Sequence, residues 1–262
     1  MTRENAPPAK RADKLGFRPK RFWNSAGVTA VDTAFSVVLD SRPVKTPGGA
    51  KLTLPSLRAA EAVAAEWQVV GSHVDYDAMP LTRLGFAAID RMKDLTEDSV
   101  TEVLRYAQTD VVCYPSQYPQ ALIEREQAAW LPLLAWAREH LGLTFTQNLT
   151  LVHQPQPEQT LVTLEAMVRR LTAFESAGLM MAVPLFGSVV LALAVRDGHL
   201  SGETAFAASR IGDDFQSEVW GRDAEAAQRD DAMRHQATCL QTWFEALRVA
   251  GGLPDSTSAC GP

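Results

Sequence analysis

Asp231 and His235 stand four residues apart, a spacing that stacks two side chains on one face of a helix. A carboxylate and an imidazole so placed could share a metal ion, and with Glu218 they would describe a metal-dependent hydrolase. The simpler reading, a solvated ion pair on an outer helical face, is preferred. Around the pair lie Asp213, Asp214, Glu218, Asp223, Glu225, Asp230 and Asp231, seven acids within 19 residues. A dinuclear site of the helical-bundle type needs inward-facing Glu-x-x-His pairs, and the stretch has none. The sequence also lacks a Gly-rich phosphate loop, a GxSxG elbow, an HExxH motif and paired cysteines. His73, His140, His153, His199 and His235 are scattered singly. The expectation is therefore no catalytic residue, no metal and no cofactor. The acids are then a solvated face or a surface on which another protein docks. Trp220-Gly221 inside the run favours docking, because a helix break beside an aromatic presents both side chain and backbone.

Composition narrows the partner. Of 262 residues 46% are hydrophobic and 21% charged, enough apolar material for one large domain or two modest ones. The net charge of −6, with no polybasic face, argues against nucleic acid or anionic lipid. Cys113, Cys239 and Cys260 are too few and too far apart for a disulfide framework, so a reducing compartment is expected. Residues 1–20 carry neither an apolar signal core nor an amphipathic targeting pattern and read as a disordered tail. That favours a bacterial cytoplasm, or a mitochondrial matrix if the source is eukaryotic. Gly178 to Val195 is uncharged for 18 residues, the lower edge of a spanning length. Pro184 and Gly187-Ser188 interrupt it, which points to two short buried helices or a kinked one, not a membrane span.

The elements that would position these residues fall into two groups. Between 21 and 54, short β-rich runs alternate with the turn sequences Asp32-Thr33, Asp40-Ser41-Arg42-Pro43 and Pro47-Gly48-Gly49, so antiparallel hairpins are expected. Ala60, Val63, Trp67 and Val70 then mark a helix capped by Ser56, with Trp67 structural against the hairpins. His73 to Thr82 reads as extended. From there the apolar spacing is helical, with Pro132 expected to kink or split one segment and Leu143 to His153 alternating like a strand. One helix is expected from Ser201 to Trp220-Gly221, with Gly212 in its interior at a cost of about 1 kcal/mol, and a last helix from Asp223. The fold class is α+β: a β-rich domain over 21–92, an orthogonal helical domain over 93–249, and a flexible tail over 250–262.

Several motifs, in order, carry a resemblance. Lys20-Arg21-Phe22-Trp23, Val37 through Pro47, Ala65-Glu66-Trp67, Met79-Pro80-Leu81-Thr82, Tyr106 to Asp110 with Cys113-Tyr114, Gln127 with Trp130, and Gly187 to Ala194 lead to Phe215-Gln216-Ser217-Glu218-Val219-Trp220-Gly221-Arg222-Asp223-Ala224-Glu225-Ala226. Over residues 20–248 the chain resembles the assembly chaperones of the ATP synthase catalytic head, the ATP-twelve family. It departs from them at Ser41, where the turn usually has glycine, and at Ile211-Gly212-Asp213-Asp214, where a Leu-Glu-Glu run is usual. The resemblance implies a β-containing domain followed by a helical one. It also implies a monomeric, non-enzymatic holder of the unassembled alpha subunit, released when a beta subunit takes its place. On that reading Gln216, Glu218, Trp220, Gly221, Asp223 and Glu225 form the partner-binding set.

Overall fold

The computed structural model describes residues 18–251 except 93, 151, 222 and 223. A small antiparallel sheet forms first, from β1 (Ala26–Val31), β2 (Ala34–Leu39), β3 (Arg42–Pro43) and β4 (Thr53–Leu54). β2 is its centre: it pairs along its length with β1, with Val28 opposite Val37, and its other edge is shared by β3 and β4. Val44, Lys45 and Thr46, expected as a strand, continue the hairpin through a Lys45–Lys51 bridge and Val44 N–H donating to the Val37 carbonyl. Arg21-Phe22-Trp23 is not a strand. Arg21 instead donates to the carbonyls of Trp23, Asn24, Gln68 and Val70, fastening the incoming chain to the next helix. Of the expected tail over 1–20, residues 1–17 lie outside the described residues. Arg18 pairs with Asp75 and Lys20 bridges to His73, so this part is tied to the fold.

The turn between β2 and β3 shows what the Ser41 departure does. Asp40 and Ser41 have φ of 44° and 70°, both in the left-handed region that a tight hairpin demands and that glycine enters without penalty. Asp40 meets the demand with a compensating contact: its carboxylate accepts from the backbone N–H groups of Asn24 and Ser25 at 2.9 Å. Those bonds hold the Asp40 carboxyl below the usual carboxylate range. Among the described residues no such contact offsets Ser41.

α1 (Leu57–Gln68) covers the sheet, started by Ser56, whose Oγ accepts from Ala59 N–H and donates to the Ala246 carbonyl far along the chain. Trp67 is 4% exposed, its ring 5.3 Å from Trp23 and 6.3 Å from Tyr76, as a structural tryptophan should be. The stretch expected to stay extended to Thr82 does not. Pro80 opens α2 (Pro80–Asp90), because proline suits the first helical turn, where its missing N–H costs nothing. No local side chain caps this start; Glu66 of α1 accepts from Leu81 N, Thr82 N and Thr82 Oγ1. Burial pushes the Glu66 carboxyl up, partly offset by these bonds.

The helical layer follows as α3 (Thr96–Gln108), α4 (Gln120–Leu141), α5 (Glu158–Val168), α6 (Ala173–Phe186), α7 (Val189–Arg196), α8 (Gly202–Ser209), α9 (Ile211–Trp220) and α10 (Ala224–Gly251). α4 runs through Pro132 without splitting. The alternating run after Leu143 forms no strand among the described residues; its side chains serve local bonds, such as Asn148 Nδ2 to the Val152 carbonyl and Gln156 to Thr146. The uncharged stretch is two helices, and the break falls at Gly187 (φ 60°), not at Pro184. No helix among the described residues is long and apolar enough to cross a membrane. The expected single helix over 201–220 is broken at Arg210, so Gly212 sits in the first turn of α9, where its interior cost does not apply.

α7 is the axis of this layer: Val189 through Val195 are all fully buried. A helix start without water needs a protein acceptor. Asp110, itself 0% exposed, supplies it, its carboxylate accepting from Val189 N at 2.7 Å, Val190 N at 3.1 Å and Val112 N at 3.2 Å. Desolvation pushes the Asp110 carboxyl up to about 6, against the pull of a bond from the Ser188 side chain, the N-cap of α7, and of these backbone bonds. α10 closes the far side, where Gly202 lies so near the Ala237 carbonyl that a Cβ would meet it at 2.0 Å.

Two substitutions test this account. Asp110→Asn turns an amide N–H₂ towards backbone donors and should cost about 1–3 kcal/mol at pH 7 by urea unfolding. Because the folded pKa is raised, Asp110 favours the native state fully below pH about 4, and that contribution is lost as pH rises through 6. The wild-type advantage over Asp110→Asn should thus be larger at pH 4 than at pH 7 by about 2 kcal/mol. Ser41→Gly should raise stability by about 1 kcal/mol in the same assay by relieving the left-handed serine.

Candidate functional site

The acidic run lies on α9 and the first half of α10, and ion pairs engage its carboxylates at Asp213, Glu218 and Asp230. Arg210, at the break before α9, reaches Asp213 at 2.7 Å and Asp230 at 3.3 Å. Glu218 is met from α4: Arg125 Nη1 donates to both of its oxygens, at 2.8 and 2.9 Å. That bond holds the Glu218 carboxyl below the usual range, while the guanidinium stands 5.1 Å from the centre of the Phe215 ring. Arg234 pairs with Glu203 and lies over Phe206. The face is therefore partly neutralised, not a uniformly negative field.

The hydrolase constellation is not assembled. His235 Nε2 lies 3.6 Å from Cys239 Sγ, and no ion pair joins it to Asp231, so the expected solvated pair does not form either. Burial pushes the Cys239 thiol up to about 11, which keeps it a neutral, unreactive thiol near pH 7. Among the described residues no three His, Cys, Asp or Glu side chains stand close enough to hold a metal ion.

What remains is the end of α9. Val219 is 60% exposed and Trp220 85%, although a large aromatic in a stable fold is usually covered. Gly221 ends the helix with φ 84° and ψ 163°, a conformation for which a side chain would be strained. Gln216, Glu218 and Glu225 are exposed nearby in the chain, and Glu225 occupies the first turn of α10. No hydrogen bond or ion pair engages the Glu225 carboxylate among the described residues. Asp223, the sixth residue of the expected binding set, lies outside the described residues. Beside α9 a shallow depression of about 410 Å³ is lined by Asp214, Ser217, Glu218 and Arg234. A larger cavity of about 590 Å³, between α5 and the end of α10, includes none of these residues. Sequence reasoning missed Arg125. It stands 93 positions from Glu218, and no local pattern links the two.

The fold is thus a small antiparallel sheet followed by a helical layer that displays Trp220 at the end of α9. The family model described as ATP12 chaperone protein matches residues 20–138. Atp12 from Paracoccus denitrificans, also solved as a single-residue mutant, is 34% identical with a TM-score of 0.81, covering 88% of this chain and 99% of its own. A proposed chaperone from Agrobacterium tumefaciens is 31% identical with the same TM-score, covering 88% and 87%. The mitochondrial protein atp12 of Schizosaccharomyces pombe is 23% identical over 81% of this chain and 77% of its own. The chain belongs to the ATP12 chaperone family.

Because so little of Trp220 is buried, Trp220→Ala should leave the thermal midpoint within about 2 °C of wild type. A drop of the size expected for a core tryptophan, read by calorimetry, would show that the ring is packed in solution and unavailable to a partner.

Proposed function

We propose that this protein is an assembly chaperone of the F-type ATP synthase catalytic head. It holds the unassembled alpha subunit, keeps it from aggregating, and yields it when the beta subunit arrives. Family membership supports the class of activity. The observation that carries the reading to a particular surface is the exposure of Val219 and Trp220 at the end of α9, with the exposed Glu225 in the first turn of α10. An unassembled subunit exposes an interface larger and more apolar than a monomer tolerates. A holder must cover it and still be displaced. One exposed aromatic among solvated charges suits that task, since aromatic anchors give grip while charges give selectivity and fast encounter. The chaperone acts as a monomer, without catalysis or cofactor. It works in a bacterial cytoplasm or, in a eukaryote, in the mitochondrial matrix, a reading that the mitochondrial relative supports for the second case.

Glu225 gives the direct test. Its place in the first turn of α10 gains about 0.3–1 kcal/mol from the helix dipole. Glu225→Gln should therefore shift the melting temperature by only a few degrees. On the docking reading it abolishes capture of the purified alpha subunit, because losing one member of a desolvated pair costs about 2–5 kcal/mol of binding. Undiminished capture, or capture lost only together with the fold, would move the contact surface elsewhere.

A further inference from the structure

Glu218 belongs to the expected binding set, yet in the free chain its carboxylate is occupied. Arg125 reaches it from α4 with a single nitrogen shared between both oxygens, at 2.8 and 2.9 Å. The side chains remain 49% and 57% exposed, so water screens the pair and it is readily broken. The same guanidinium already lies over the Phe215 ring, 5.1 Å from its centre, a contact that does not depend on the carboxylate. Two residues past Glu218, Trp220 projects into solvent.

We infer that the Arg125–Glu218 pair is a latch over the docking surface. A basic residue of the alpha subunit, seated beside the socket that takes Trp220, displaces Arg125 and takes over Glu218. This rests on the alpha-subunit reading above and adds to it the chemistry of the contact. The exchange explains how a charged surface can bind and still let go: Arg125 stays beside Glu218 throughout and competes for it at each moment. It also prevents a bare carboxylate from attracting unrelated cationic proteins, since the free chaperone presents a neutralised pair.

The sign of one substitution decides the matter. Binding of purified alpha subunit to the full chain is measured by fluorescence anisotropy for wild type, Arg125→Ala, Glu218→Gln and the double variant, with calorimetry to confirm that each is folded. If the latch exists, Arg125→Ala binds three- to ten-fold more tightly, chiefly through slower dissociation, and Glu218→Gln binds more weakly. The gain from Arg125→Ala then disappears in the Glu218→Gln background, because no carboxylate is left to free. Weaker or unchanged binding by Arg125→Ala overturns the latch, and so does a gain that persists without Glu218. If Glu225→Gln abolishes binding while Arg125→Ala is silent, the docking surface stands and the latch alone is wrong. If the wild type itself fails to bind the alpha subunit, both readings fall together.

Discussion

The helical layer is organised by one carboxylate. α7 is enclosed on every side, so the N–H groups of its first turn can find no water, and Asp110 is brought to them from the end of α3. Burying that charge is unfavourable, as the raised Asp110 pKa records, and the bonds to the Ser188 side chain and to the Val190, Val112 and Val189 backbone compensate only in part. The neighbouring chain depends on this junction. Val111 N donates to the Gly187 carbonyl, so the corner between α6 and α7 is clasped from the same segment. Asn148 N in turn donates to the Cys113 carbonyl, and Gln147 to that of Val112, which lays the irregular 143–156 stretch over the junction.

The same device recurs nearer the N-terminus with less burial. Glu66 reaches out of α1 to cap α2, and Ser56 at the start of α1 bonds the Ala246 carbonyl of α10. A helix is thus repeatedly finished by a side chain from another element. Each such bond has value only after the elements have met, so the sheet, the first helices and the last helix hold one another in place. This rigidity matters for the displayed surface. α9 lies on α4, its Glu218 met by Arg125, and Trp220 is held out from a fixed support, which limits the entropy lost when a partner covers it.

Much of this was legible in the residues. The hairpin turns, Ser56 as a cap, the buried stripe of Trp67, and an interruption of the uncharged stretch, left open between two helices and a kinked one, are local consequences of residue type and spacing, and the structure shows each, the interruption as two helices. The ordered motifs from Lys20 to Ala226 were enough to identify the family. Local misreadings share a cause as well. Pro132 lies within an intact helix, and Pro80 begins one, because proline's effect depends on whether an N–H was needed at that point. The alternation after Leu143 imitates a strand, but among the described residues it pairs with no strand, and its side chains bond locally instead.

Sequence alone determined which residues could be buried, which could turn, and which stretch was rich in acids, because these follow from the chemistry of near neighbours. It did not determine how those acids are paired. Arg125 approaches Glu218 from α4, and Arg210, at the break before α9, joins Asp230 of α10 to Asp213, so part of a run of like charges is neutralised through space. Nor did it determine that Asp110 is the buried cap of α7, since the N–H groups it serves lie 79 and 80 positions away. Such contacts depend on distances through space, and those are set only when the helices have packed.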